Sequence, residues 1–178
     1  NHLIGHIYAN WLSGKEIEFP AIALVVSGGH TDLVFTKDHM KIKWLGGTRD
    51  DAAGEAFDKI GRLLRLSYPG GPAIEKTSLN GNPKAFNFPR PMIETNDFDF
   101  SFSGLKTSVL REVKTIKQLN NKTITNISAS VQQAIIDVLV TKTLKAAQAF
   151  KVKSILLSGG VAANQKLRDS FQSSILDL

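Results

Sequence analysis

Two histidines lie four residues apart at the start of the chain, His2 and His6 in NHLIGHIYANWL. A helix turns once every 3.6 residues, so positions i and i+4 share a face and both imidazoles can lean toward one point. Such a pair offers two nitrogens to a metal ion. The same spacing suits an ordinary packed helix with Ile7 and Trp11 on its buried side, so the pattern by itself leaves both readings open. The chain contains no cysteine. Any metal site must therefore be built from His, Asp, Glu and water, and neither disulfides nor thiolate ligands are available.

A second group of residues suits nucleotide chemistry. VVSGGHT (25–31) and LLSGGVA (156–162) each place Ser-Gly-Gly directly after an apolar run. Glycine there lets the backbone turn sharply and lets a ligand approach amide N–H groups with no Cβ in the way, as in phosphate-binding turns. One such pair is equally a plain tight turn, but two at the same relative place in a sheet point to a nucleotide held between two loops. The second turn runs into a helix, which puts the amides of residues 161–163 at a positive helix end suited to an anion or a ribose hydroxyl. Asn164 can donate and accept there, or simply start the helix. Asp58 borders the apolar stripe of its helix, placed either to bind sugar hydroxyls or to pair with Lys59 or Arg62, and Gly70 and Gly71 follow one element later. His30, directly after the first Gly-Gly, either reaches a ligand or caps the turn. Lys106, Arg111, Lys114, Lys117 and Lys122, with Glu112 the only acid among them, could contact phosphates or form a solvated face.

These residues need elements to hold them. AIALVV (21–26), TDLVFT (31–36) and MKIKWL (40–45) read as three short strands in an antiparallel meander. Ala53, Phe57, Ile60 and Leu64 mark a helix ending near Ser67, with Thr48 and Asp51 resembling a capping box. Residues 67–103 are rich in Pro, Asn and Phe, and DFDFSF alternates like a half-buried strand. A helix along Leu105, Val109, Val113 and Ile116 follows, then a long helix from about Ser128 to Phe150, a strand at 154–157, and a last helix from about Ala162. The middle, about 67–127, has the character of an insertion.

A chain of 178 residues suffices for one domain or for part of a larger architecture. With 42% hydrophobic and 21% charged residues, and no apolar run near the ~20 residues that cross a bilayer, no transmembrane helix is encoded. The net charge of +6 favours an anionic partner. Because the first residue is Asn, the chain is expected to be a piece of a longer protein, in which a targeting signal at the true start would not be visible.

In order, NHLIGH, LVVSGGHTDLV, DDAAGEAFDKIGRLL, YPGGP, DFSFSGLKT and LSGGVAANQKLR resemble the TsaD/Gcp family of tRNA N6-adenosine threonylcarbamoyltransferases, and SGGHT and GEAFDK are similar to its bacterial or organellar branch. The resemblance covers nearly the whole chain. It implies an α/β fold of the actin, Hsp70 and sugar-kinase type (ASKHA, with an RNase H-like core and a mixed β-sheet), which agrees with the element order. It also implies an incomplete two-lobe architecture: residues 1–20 as a helix from a preceding lobe that carries HxxxH, and 21–178 as the second-lobe core, with the first lobe and a C-terminal segment absent.

The reaction implied is transfer of threonylcarbamoyl from threonylcarbamoyl-AMP to N6 of adenosine 37 in tRNAs reading ANN codons, with release of AMP. His2 and His6 match two family ligands of one divalent metal ion, Fe2+ or Zn2+; the third ligand, an aspartate, belongs to a segment outside this chain. Donor-contacting positions of the family fall on Val25, Val26, Ser27, Gly28, Gly29, Asp58, Gly71 and Asn164, and on Glu75, where many relatives have aspartate. The implied partners are tRNA, a paralogous dimerising subunit and a small ATPase, in the cytoplasm and away from membranes. On this reading the isolated chain is expected to bind metal weakly or not at all and to be inactive.

Three rivals fit parts of the pattern. A zinc peptidase of the HExxH kind needs a glutamate beside the first histidine, and here Leu3 and Ile4 follow His2. A sugar kinase or ATPase would use the glycine turns equally well. A non-catalytic scaffold paralogue has no need of the histidines, both turns and Asp58 together.

Overall fold

The computed structural model describes residues 2–14 and 16–176. Asn1, with which the NHLIGH motif begins, and the last two residues of the expected span 21–178 lie outside them. The sheet is built on β1 (Ala21–Val26), whose six residues are all fully buried. That explains a continuous apolar run in place of alternation. Ile22, Leu24 and Val26 face a core shared with most of the helices, while Ala21, Ala23 and Val25 face a smaller cluster completed by Val34, Leu156 and Ile7.

β2 (Thr31–Asp38) pairs antiparallel with β1, and β3 (Lys41–Gly47) antiparallel with β2, so the expected meander is present. β4 (Ser154–Ser158) adds parallel to β1 on its other side, giving the order β3-β2-β1-β4 and a mixed sheet. Helix α1 (His2–Tyr8) continues into a 3-10 turn, Ala9–Ser13, and buries Ile7 against the smaller cluster.

α2 (Ala53–Leu63) begins without the expected capping box. Thr48 donates its hydroxyl to the Asp51 carbonyl at 2.7 Å, and the Asp51 carboxylate takes Lys59 at 2.6 Å. The first amides of the helix are met from the sheet instead: Ala53 N–H by Oγ1 of Thr31 at 2.9 Å and Gly54 N–H by the Ser27 carbonyl at 3.1 Å. The β1–β2 turn thus does the work of the cap. At the other end α2 stops earlier than the apolar pattern predicts, because Arg65 adopts φ 59° and the amides of Arg65 and Leu66 bond to the carbonyls of Arg62 and Gly61. This is the Schellman closure, here without a glycine.

α3 (Gly70–Ser78) is a helix that apolar periodicity missed. Its start follows the rule that proline and glycine are tolerated where amides have no helical partner, and the Gly70 amide is taken by Asp58 Oδ1 at 2.7 Å. DFDFSF forms no strand. One parallel bridge joins Phe100 to Thr48, and Asp50 then ends the pairing by accepting from the hydroxyls of Ser101 and Ser103 and from the amides of Phe102 and Ser103. The alternation nevertheless reports burial correctly, since Phe100 and Phe102 are fully enclosed.

α4 (Ser103–Thr115) buries Leu105 and Val109. α5 (Asn121–Ala149) starts ahead of Ser128 because Asn120 caps it, accepting from the Thr123 amide at 2.9 Å. Ile74, Phe88, Phe100, Leu105, Val109 and Ile127, all from residues 67–127, share one core with Ile22, Leu24 and Val26. Each such side chain contributes about 1.5–3 kcal/mol on burial. Lys142 of α5 is also wholly buried, donating to the Met92 carbonyl (2.7 Å), Thr95 (2.8 Å) and Asp97 (3.3 Å). Burial pulls its pKa down, although Asp97 opposes the shift. After β4 the chain makes a 3-10 turn, Gly160–Ala163, and only then enters α6 (Gln165–Leu176), later than the predicted start. No helix among the described residues is long and apolar enough to cross a membrane.

Candidate functional site: two glycine turns at one end of the sheet

Because β1 and β4 run parallel, with Val25 opposite Ser158, both Ser-Gly-Gly turns leave the sheet at the same end. They touch. A Cβ on Gly159, where φ is +91°, would collide with the Val26 carbonyl. A Cβ on Gly54 would lie 2.5 Å from the Ser27 carbonyl oxygen, and one on Gly70 2.5 Å from that of Phe57. The first turn, α2 and α3 are stacked backbone to backbone, and glycine is what permits it.

The stack encloses a cavity of about 300 Å3 that brings together Gly28, Asp58, Gly71, Glu75 and Asn164 of the sequence-predicted set, with Tyr68, Pro69, Pro72, Phe57 and Val161 as apolar walls. Asp58 spends one carboxylate oxygen on Gly70, and its Oδ2 has no partner among the described residues. It does not pair with Lys59, whose ammonium bonds Asp51 at 2.6 Å and Glu55 at 2.9 Å, nor does Arg62 reach it. Successive helical residues point about 100° apart, which explains the Lys59 result. Glu75 Oε1 accepts from the Gln165 amide at 2.6 Å, and Asn164 Oδ1 from the Leu167 amide at 2.9 Å. The expected open helix end at residues 161–163 is therefore a 3-10 turn, and the first amides of α6 are already occupied by two side chains of the cavity itself.

Val25, Val26, Ser27 and Gly29 do not line this cavity. Val25 and Val26 are fully buried on opposite faces of the sheet, so a ligand could meet only their main chain. Ser27 closes the turn on itself, its Oγ accepting from His30 N at 3.1 Å and its own amide donating to the His30 carbonyl at 2.8 Å. Gly28 and Gly29 are exposed, and their amides make no hydrogen bond among the described residues.

The histidine helix lies beside both turns. Nε2 of His2 is 3.1 Å from Nε2 of His30, so His30 at once closes the first turn through its backbone and meets the opening helix through its ring. The ring centroids of His2 and His6 are 6.4 Å apart. His6 lines a second cavity of about 640 Å3 with Asn10, Ser158, Gly159, Ala163 and Arg168, so the second glycine turn is a wall common to both cavities. Asn10 donates to Ser158 Oγ at 2.8 Å, tying this helix to the end of β4. The packed-helix reading also holds for the opposite face, where Ile7 is buried and Trp11 stacks on Tyr8 and Phe19.

Among the described residues no group of three metal-ligating side chains comes together. His2 and His6 supply two imidazoles on one exposed face, a fitting donor pair for a borderline metal that needs further ligands from elsewhere. On α4, the turn after it and the first turn of α5, none of Lys106, Arg111, Lys114, Lys117 and Lys122 makes an ion pair among the described residues, whereas Arg49, Lys59 and Arg90 all do. Arg111 edges a cleft of about 570 Å3 with Asn87, Ser103, Thr107 and Ser108.

Two contributors escaped the sequence reading. Arg168 donates to the Ala162 carbonyl at 2.7 Å and so holds the second turn. Gln132 of α5, buried behind Asn164, bonds its amide at 2.9 Å. Polar residues at Ser128, Ser130 and Gln132 within a fully buried stretch of a long helix are the signal that would have pointed to it.

A mixed sheet flanked by helices, with glycine turns at the ends of adjacent parallel strands, places this chain in the actin, Hsp70 and sugar-kinase class of α/β folds. Within that class it belongs to the TsaD family, described as tRNA N6-adenosine threonylcarbamoyltransferase, whose family model matches residues 1–176. It is 52% identical over 175 residues to the protein of that name from Moorella thermoacetica, covering 98% of this chain and 51% of the relative. Identity to the same-named protein of Dehalococcoides mccartyi is 56% over 168 residues (94% of this chain, 50% of the relative), and to that of Syntrophomonas wolfei 50% over 169 residues (95% and 50%). The chain spans about half the length of these curated relatives.

Proposed function

We propose that this chain forms the donor-binding half of a tRNA N6-adenosine threonylcarbamoyltransferase. It would hold threonylcarbamoyl-AMP between its two glycine turns while N6 of a tRNA adenosine attacks the carbamoyl carbon. The observation that carries this reading is the convergence of Gly28, Asp58, Gly71, Glu75 and Asn164 on one cavity, with His6 across the second glycine turn. The names of the relatives support the reaction.

The donor is a mixed anhydride of a carbamate and a phosphate and is already activated, so no covalent nucleophile is required. As the N6–C bond forms, the C–O bond to the phosphate breaks, AMP departs and N6 loses a proton. Free carboxylate oxygens of Asp58 and Glu75 are suited to accept from ribose hydroxyls, and the free amides of Gly28 and Gly29 to donate to phosphate or to the developing carbonyl oxyanion. One such positioned donor is typically worth about 3 kcal/mol. His2 and His6 would hold a divalent ion, Fe2+ or Zn2+, whose chemistry is to polarise and orient the threonylcarbamoyl group. The unpaired cations along α4 would hold tRNA phosphates. A paralogous subunit and a small ATPase, in the cytoplasm, complete the assembly proposed from the family resemblance.

The test is threonylcarbamoyl-adenosine content of tRNA, read by mass spectrometry, in cells relying on the full-length protein. Replacing both His2 and His6 with Ala is expected to abolish the modification and to remove the metal from the purified full-length protein, measured by elemental analysis. Full modification in that variant would sink the role given to the imidazoles. A kinase would instead leave a phosphorylated acceptor.

A further inference from the structure

Behind the cavity, three side chains, with a main-chain carbonyl at one end and a main-chain amide at the other, form a directed relay that crosses three helices. Ser78 Oγ of α3 donates its one proton to the Glu75 carbonyl at 2.7 Å. Toward α5 it can therefore only accept, and it does so from Gln132 Nε2 at 2.9 Å. This turns Gln132 Oε1 toward Asn164, whose Nδ2 donates to it at 2.9 Å. Asn164 Oδ1 in turn accepts from the Leu167 amide, also at 2.9 Å. Every amide in the series is left with one sense, because reversing any of them would set donor against donor or acceptor against acceptor. Gln132, Ser78 and Asn164 are 6%, 8% and 7% exposed, with Ser78 and Gln132 edging a separate cleft of about 240 Å3.

Gln132 does not line the cavity, whereas Asn164 does. With Oδ1 turned onto the Leu167 amide and one Nδ2 proton onto Gln132, the donor that Asn164 keeps free is its second Nδ2 proton. We infer that Gln132 is a positioning residue that locks Asn164 as a hydrogen-bond donor toward the nucleotide, so that Asn164 reads an acceptor atom of the ligand. Glu75 and Asp58 complement it as acceptors. This rests on the nucleotide reading of the cavity, and it assigns a task to a residue lying one layer behind the ligand.

The experiment uses the full-length protein and AMP, titrated by calorimetry, with threonylcarbamoyl transfer measured in parallel. Gln132→Leu is expected to weaken AMP about tenfold, the scale of one buried hydrogen bond and its orientation. Gln132→Glu keeps an acceptor facing Asn164 Nδ2, and its carboxyl, kept neutral by burial, keeps a donor facing Ser78, so this variant should bind AMP nearly as the parent does. In the double variant with Asn164→Ala, AMP should bind no more weakly than with Asn164→Ala alone, because a residue acting only through Asn164 has nothing more to lose. Wild-type AMP affinity in a folded Gln132→Leu protein would overturn the inference, as would losses that simply add in the double variant. Ser78→Ala is an independent perturbation that strips Gln132 Nε2 of its acceptor and so loosens the side chain; it should cost AMP affinity about threefold, and an unchanged affinity would count against the relay. If the parent protein fails to bind AMP, the nucleotide reading and the relay fall together. If it binds AMP but does not transfer threonylcarbamoyl, the proposed reaction fails and the relay stands.

Discussion

Gly54→Ala tests the idea that the cavity exists because backbones touch. The alanine Cβ would sit 2.5 Å from the Ser27 oxygen, 2.7 Å from the Ser27 carbonyl carbon and 2.8 Å from the Gly28 Cα. Comfortable carbon contacts begin near 3.5 Å, so α2 or the turn must retreat by about 1 Å. No flexible side-chain end is there to move aside. Retreat stretches the Gly54 N–H bond to the Ser27 carbonyl, 3.1 Å in the native protein, a loss of about 1 kcal/mol. Overpacking adds about 1–3 kcal/mol, and the better helix propensity of alanine returns about 1 kcal/mol. The net expectation is roughly 1–3 kcal/mol of destabilisation. Gly104→Ala is the control. It is also a helical glycine, but a Cβ there meets nothing within 4 Å, so propensity acts alone and stability should hold or rise by up to about 1 kcal/mol. Urea unfolding of the two full-length variants measures the difference, and AMP titration should show a weaker affinity for Gly54→Ala only, since Asp58 rides on the displaced helix. Equal unfolding midpoints for the two variants would refute the close-contact argument.

Acid should act through Asp50. Burial alone would raise its pKa, but the hydrogen bonds from Ser101, Phe102 and Ser103 outweigh it and hold the carboxyl below the usual range. A group depressed in the folded state contributes stability that is present above its unfolded value, near 3.9, and is lost as pH falls through the folded value. Asp50→Asn should therefore lower stability at neutral pH and flatten the decline seen in unfolding scans below about pH 4; an unchanged slope would contradict this. Reversing Lys114 and Lys117 to Glu should weaken tRNA binding by the full-length protein and lower the slope of log affinity against log salt by roughly 0.7–0.9 per contact removed. AMP affinity should stay unchanged, and an unaltered salt slope would move the RNA surface elsewhere.

What could be read from the residues and what could not divides along physical lines. β1, β2 and β3 were legible because a buried strand and its hairpin neighbours announce themselves by local pattern. The start of α2 was misread because its acceptors, Thr31 and Ser27, come from another element and leave no trace at Thr48–Asp51. α3 was missed since Gly-Gly-Pro reads as a turn, and only Asp58 on the Gly70 amide makes it a helix start. At the site, Asp58, Gly71 and Asn164 were named through their motifs, while Gln132, which makes no motif, was visible only once α5 lay behind the second turn.

The parallel pairing of β1 with β4 carries a developmental consequence for the site. Side chains alternate along a strand, so a slip of β4 by a single residue would turn Leu156 off its apolar bed and drag Gly159 away from the one carbonyl it fits against. The ladder is thus a ruler for the pocket. A chain that folds with the wrong notch engaged loses its hydrophobic seat and its ligand seat in the same stroke, so misassembled copies are unstable as well as empty-handed.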